Sequence, residues 1–169
     1  SKQTGYVIAI EVVSIQGKIS PSLGELKHLK ILNPSTCEFQ GEIPPQLGNL
    51  SRLTTLDLSY NGLLYVKSLH WISRLRLLRY LDLSSVDLSN AVDWLTIVRN
   101  FRYLRNLRIN SSELPKHIPS SLNYINASFT FLPIRLSFNT LNHTSVFFGL
   151  FNWPGFPTQP VLFKLSVNT

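Results

Sequence analysis

The sequence predicts an α/β solenoid: short parallel strands on one concave face, irregular or helical segments on the other. Three observations predict it. Apolar residues recur at the first, fourth and seventh positions of successive units: Leu26/Leu29/Leu32, Leu50/Leu53/Leu56, Leu75/Leu78/Leu81 and Phe101/Leu104/Leu107. The unit starts lie 24, 25 and 26 residues apart. Within each unit the apolar spacing changes from three to two, as in Leu53-Thr-Thr-Leu56-Asp-Leu58. A helix repeats every 3.6 residues and a strand every two, so neither element accounts for the whole run.

The elements follow in order. The two-residue step is a short strand whose Leu56 and Leu58 face inward, and the three-residue steps carry the chain back to the next strand. Asn61 follows where its amide can bond a neighbouring turn, and Cys37 takes that place one unit earlier. Together these form the leucine-rich-repeat pattern L-x-x-L-x-L-x-x-N/C-x-L. Pro34 stands where Leu58 and Leu83 stand and cannot donate to a strand ladder, so the strand from Leu29 is expected to be weak. The return segments GKIS, GEIPPQLGNL and KHIP share a turn with an isoleucine, Ile19, Ile43 and Ile118. SLHWISRL and NAVDWLTIVRNF read instead as convex helices. In the second, Ala91, Trp94, Leu95 and Val98 share a face, and Asn90 with Asp93 forms the cap. Trp71 and Trp94 are assigned to the core of that layer.

Residues 1–150 thus divide into six repeats (1–25, 26–49, 50–74, 75–100, 101–125 and 126–150), followed by a non-repeat tail, 151–169. The first repeat is shortened. The last is weak, with Phe131, Ile134, Leu136, Asn139 and Leu141 as its pattern. No unit can bury its leucines alone, so stacking is obligatory.

Composition bounds the function. Net charge is +7, with 16 Lys and Arg against nine Asp and Glu, which suits anionic partners without naming one. One cysteine, Cys37, excludes an internal disulfide and reads as a buried structural thiol. The four histidines have no metal-ligand spacing, and no phosphate-binding loop, kinase set or nucleophile elbow occurs. No cofactor or metal is expected. The cations are spread over every repeat without a tract interleaved with stacking aromatics, so nucleic acid is not expected either. The first residues show no basic leader or cleavage site, and SVFFGLFNWPGF is too short to cross a bilayer. Membrane insertion by this chain is not expected.

Beside the inward leucines lie variable positions that line the concave face. One column reads Asn33, Asp57, Asp82, Arg108 and Arg135, another Lys30, Thr54, Arg79 and Arg105, and a third Ser35, Ser59, Ser84, Asn110 and Ser137. Tyr60 and Tyr80 add larger groups. Arg79, Arg105, Arg108 and Arg135 form the candidate patch for an anionic partner or acidic glycan, against the plain alternative of a solvated face or an internal Arg–Asp lattice. Asp57 and Asp82 would stand on adjacent rungs, about 5 Å apart, near the spacing of a retaining glycosidase. The repeated L-D-L-S motif explains both without catalysis, so the expected function is non-enzymatic. Sequons occur at Asn49, Asn110, Asn126 and Asn142. Asn110 is set apart, because a glycan on the concave strand would obstruct binding.

GKISPSLGELKHLK, GEIPPQLGNLSRL, LDLSYN and LRYLDLSSVDLSNAVDWL resemble the N-terminal ectodomain repeats of plant leucine-rich-repeat receptor-like proteins, of the type that perceives fungal xylanase or other elicitors. G-x-I-P, at Gly41 to Pro44 and nearly at Gly17 to Ser20, carries the resemblance. It implies a plasma-membrane protein facing outward, a protein, peptide or glycan ligand on the concave face, a co-receptor kinase as partner, and a role in pathogen perception. A soluble leucine-rich inhibitor of microbial cell-wall hydrolases is the alternative. Relative to the family, the N-terminal cap, a signal peptide and the membrane helix are expected to be missing, and one repeat to be skipped around 33–36. The first rung should then expose apolar surface that a cap would cover.

Overall fold

A computed structural model of the chain describes residues 5–94, 97, 101–110 and 112–115, with the backbone alone of 124–125, 135–139 and 163–164. The chain order begins β1 (Ala9–Glu11), β2 (Gln16–Gly17), η1 (Pro21–Glu25), β3 (Ile31–Asn33), β4 (Glu38–Glu42) and η2 (Pro45–Asn49), where η marks a 3-10 helix. It continues β5 (Thr55–Asp57), β6 (Leu63–Tyr65), η3 (His70–Arg74), β7 (Tyr80–Asp82) and β8 (Asn106–Asn110). The last strands are β9 (Tyr124–Ile125), β10 (Arg135–Asn139) and β11 (Phe163–Lys164).

The coils stack as the spacing predicts. A six-stranded parallel sheet runs β1-β3-β5-β7-β8-β10. Its register aligns Ile10 with Leu32, Leu32 with Leu56, Leu56 with Leu81, and Leu81 with Leu107. The rungs follow one another without a gap through 33–36. Leu29, Leu53, Leu56, Leu58, Leu78 and Leu104 are fully buried and belong to one core that runs the length of the stack. Each contributes about 1.5–3 kcal/mol by leaving water. At the first rung Val7, Ile8, Val13 and Ile15 are exposed.

Pro34 acts on the ladder as its chemistry requires. Leu58 N–H donates to Asp82 O at 2.9 Å and Leu83 N–H to Arg108 O at 2.9 Å. Pro34 has no N–H to donate, and β3 and β5 pair only at Ile31–Thr55 and Leu32–Leu56.

A second parallel sheet, β2-β4-β6, lies where each coil turns away from the concave strand. Sequence reading did not anticipate it. Between the two sheets sits a left-handed residue on four successive coils: Ser14, Thr36, Tyr60 and Ser85, with φ of 57, 58, 56 and 67°. Gly41 of the G-x-I-P stretch has φ +91°, which only glycine adopts without strain.

Asn61 is the peg of the turn. Its buried amide donates to the carbonyls of Pro34 (2.9 Å), Leu58 (3.1 Å) and Ser59 (3.0 Å), and its Oδ1 accepts from Phe39 N–H (3.1 Å). Cys37, buried one coil earlier, donates its thiol to Val12 O at 3.4 Å. One coil later Val86 fills the place, and Ser112 Oγ, in the next, donates to Leu83 O at 2.9 Å.

The convex side departs from the expectation in part. His70–Arg74 is a 3-10 turn like η1 and η2, not an α-helix. The equivalent residues of η1 and η2 include Gly24 and Gly48, which let the turns touch. A Cβ on Gly48 would lie 2.5 Å from Trp71 O. In the next unit Trp94 and Ile97 are helical, with Ile97 N–H donating to Asp93 O at 3.1 Å. Ala91, Trp94 and Ile97 are buried, while Leu95 and Val98 lie outside the described residues. Asp93 caps the neighbouring coil instead of its own: its carboxylate accepts from Ser68 Oγ (2.7 Å) and Leu69 N–H (3.3 Å). Trp71 and Trp94 are core, as expected. The repeat boundaries beyond 115 and the tail, 151–169, lie outside the described residues, apart from β11, whose backbone pairs antiparallel with β9.

Candidate functional site: the concave face

The parallel register sorts the outward residues of the concave strands into two ladders. Ile31, Thr55, Tyr80 and Asn106 form one, and Asp57, Asp82 and Arg108 the other, continued upstream by Asn33. Strand alternation decides this: the inward leucines occupy the residues between.

The Asn/Asp ladder has a structural job. Asn33 Oδ1 accepts from Ser35 N–H at 3.2 Å, Asp57 Oδ1 from Ser59 N–H at 3.0 Å, and Asp82 Oδ1 from Ser84 N–H at 2.9 Å. Each side chain closes the turn two residues on. Asp57 also accepts from Ser59 Oγ at 2.6 Å. The two aspartates do stand on adjacent strands, paired in register. In each, Oδ1 is committed to its own turn.

Around Asp82 the face becomes a defined constellation. Tyr80 donates its hydroxyl to Asp82 Oδ2 at 3.2 Å. Arg108 reaches the same oxygen at 3.8 Å, with its guanidinium carbon 5.7 Å from the Tyr80 ring centre. Asp82 is buried, while Arg108 stays half exposed. Burial pushes the Tyr80 hydroxyl up to about 12, and the nearby Asp82 and Asp57 carboxylates add to it while Arg108 opposes it. The arrangement presents the Arg108 cation and the Tyr80 phenol from neighbouring strands, both held by the Asp82 carboxylate.

The other proposed residues separate from this group. Arg79 and Arg105 are exposed and precede their strands, in the column of Lys30 and Thr54. Tyr60 is exposed on the left-handed turn beyond the strand, not on the concave ladder. Arg135 is corrected: its backbone pairs with Asn106, so it stands one column over from Arg108, which faces Ser137. The error was a slip of two residues, which strand alternation cannot detect because it leaves every residue on its own face. Asn49 is exposed at the end of η2 and accepts from Arg74 Nη1 at 3.2 Å. Asn110 ends β8, where its N–H donates to Ser84 Oγ at 3.1 Å. Asn126 and Asn142 lie outside the described residues. Among the described residues no cluster of His, Cys, Asp and Glu could hold a metal.

No family model matches the chain. It is 35% identical over 138 residues to the receptor-like protein EIX1 of Solanum lycopersicum, and the match takes in 81% of this chain. The chain belongs to the plant leucine-rich-repeat receptor-like proteins. It spans only 13% of that relative's length. The fold of this receptor-like protein is also that of solved plant receptor ectodomains. The ectodomain of the receptor kinase SOBIR1 from Arabidopsis thaliana superposes with a TM-score of 0.60 at 27% identity, covering 83% of this chain and 75% of that one. The PEPR1–AtPEP1 structure gives a TM-score of 0.57 at 30% identity, over 66% of this chain and 16% of that one. In the receptor-like protein described here, no helix among the described residues is long and apolar enough to cross a membrane.

Proposed function

We propose that this chain is part of the extracellular recognition module of a plant cell-surface receptor-like protein, taking a peptide or protein ligand on its concave face and serving pathogen perception. One observation carries the reading. The inward ladder stays aliphatic from coil to coil (Ile10, Leu32, Leu56, Leu81, Leu107), while the outward ladder beside it changes in chemistry along the sheet (Ile31, Thr55, Tyr80, Asn106). Only the outer residues are free of the packing that the repeat demands, so ligand choice belongs there. Tyr80 and Arg108 are the residue types that dominate binding hot spots, and Asp82 holds both in place. The match to a receptor-like protein and the likeness to the PEPR1–AtPEP1 complex support a peptide or protein ligand. A co-receptor kinase is the expected signalling partner. Catalysis has no part in this reading: the repeated L-D-L-S motif and the turn bonds of Asp57 Oδ1 and Asp82 Oδ1 account for the paired aspartates. Asn49, exposed and away from the concave strands, is the sequon suited to carry a glycan.

The test exchanges this chain for the matching repeats of the tomato relative in a plant cell. The chimera should reach the plasma membrane and respond to an elicitor that Tyr80→Ala with Arg108→Glu abolishes. A chimera that responds equally with both substitutions would contradict the reading.

A further inference from the structure

The edge of the concave sheet where the strands begin carries a surface that recognition through Tyr80 and Arg108 does not use; it includes Arg79 and Arg105, which precede their strands. The three positions concerned precede each strand. The first reads Lys27, Ser51, Arg76, Arg102 from coil to coil, and the second Tyr6, His28, Arg52, Leu77, Tyr103. The third reads Ile8, Lys30, Thr54, Arg79, Arg105. Their neighbours touch. Tyr6 stacks on His28 at 3.8 Å between ring centres, and Arg52 Nη1 lies 3.1 Å from His28 Nδ1. Arg105 and Asn106 N–H both reach Arg79 O, as Arg79 and Tyr80 N–H reach Thr54 O. The three columns are therefore one continuous strip, its coils about 4.8 Å apart.

The charge of the strip is unusual. It holds seven of the chain's 16 Lys and Arg and none of its nine acids. The rest of the chain is balanced, nine against nine, so the strip holds the whole net charge of +7. Residues 114–169 contain no Asp or Glu, so no side chain among them can neutralise it. Arg76, Arg79, Arg102 and Arg105 make no ion pair among the described residues, although like charges on adjacent coils repel. Between those four arginines Leu77 and Tyr103 stand 46% and 53% exposed.

We propose that this strip is a docking surface for an acidic segment of a partner protein. Charge complementarity names the acid, and guanidinium forks in place of ammonium groups suit carboxylates taken two oxygens at a time. Leu77 favours a protein over an acidic polysaccharide: an aliphatic side chain rewards an apolar residue and offers no flat face to a sugar. Exposed Leu and Tyr ringed by Arg is the composition of a desolvated centre with a charged rim. The proposal stands apart from the concave face, whose Tyr80 and Arg108 lie on the strands themselves.

The test selects a displayed random peptide library on the purified chain. Selected peptides should place acidic residues around an apolar one and lose affinity as salt rises. Arg76→Glu with Arg102→Glu should weaken them about tenfold or more. Leu77→Ser or Tyr103→Ser should weaken them several-fold, Tyr80→Ala should leave them bound, and circular dichroism should show every variant folded. Absence of binders, peptides without acidic bias, or acidic peptides indifferent to the edge substitutions would each overturn the proposal. Sodium polygalacturonate is the second arm. If it binds more tightly than any selected peptide, through the arginines and without Leu77 and Tyr103, the strip serves a polysaccharide and the protein partner is wrong.

Discussion

Asn61 donates its side-chain amide to the carbonyl of Pro34, 27 residues earlier, at 2.9 Å. That bond ties one coil to the previous one, and the same amide satisfies two carbonyls of its own turn. Asn61→Ala would leave several buried backbone groups without this partner. The expected cost is roughly 2–4 kcal/mol, read as a lower urea midpoint with unchanged slope. Asn61→Cys copies the peg of the previous coil and should lose less. A change within about 0.5 kcal/mol for Asn61→Ala would mean that the amide ladder does not hold the stack.

Gly48 is required by contact, not by backbone angle. A methyl group there meets Trp71 O at 2.5 Å and Arg74 Nη2 at 2.8 Å. The arginine can swing away, but the carbonyl belongs to the packed turn above. Gly48→Ala should therefore destabilise by roughly 1–3 kcal/mol. Gly62→Ala, with nothing within 4 Å of the added Cβ, should stay within about 0.5 kcal/mol and serves as the control. Thermal unfolding of the two variants side by side would decide it.

Tyr80 links the concave face to pH. Its hydroxyl ionises near 12 instead of near 10, first because of burial and then because of Asp82. Between these values the unfolded chain has released the proton and the folded chain still holds it. Stability is thus insensitive to Tyr80 below about pH 10 and falls from there to about pH 12. Ultraviolet titration should show a late-ionising tyrosine that is lost in Tyr80→Phe. Asp82→Asn should bring it back toward the ordinary range without reaching it, since burial remains, and Arg108→Ala should move it further up. A late tyrosine that ignores both substitutions would show that the carboxylate and guanidinium do not govern it.

The inward ladder was legible in the sequence because it is a packing requirement: a coil with a polar residue at Leu56 or Leu81 could not stack. Asn61 and Cys37 were legible for the same reason, as were Trp71 and Trp94. The second sheet was not, because its strands are two to five residues long and include Gly17 and Gly41, which strand preference disfavours. His70–Arg74 was misread as a convex helix because Leu69, Trp71, Ile72 and Leu75 fall at helical spacing, whereas the segment forms a single 3-10 turn. At the site, Tyr80, Asp82 and Arg108 were each named, yet their mutual contact depends on side-chain reach across coils. The bonds that commit Asp57 and Asp82 to their turns were hinted at by L-D-L-S alone. Of the edge strip only the column Lys30, Thr54, Arg79 and Arg105 was legible, and as part of the concave face; Arg76 and Arg102 lie outside the columns beside the inward leucines. The strip's signal was present in KHLK, SRLT, RLLR and RYLR, four segments without an acid.

The most direct test of a concave recognition face is photo-crosslinking from two positions in the tomato chimera. A benzoylphenylalanine replaces Tyr80 on the concave ladder or Ser73 on the convex turn. The account predicts a ligand adduct from position 80 during elicitor treatment and none from position 73. An adduct from position 73 with none from position 80 would place the ligand on the opposite side and contradict it.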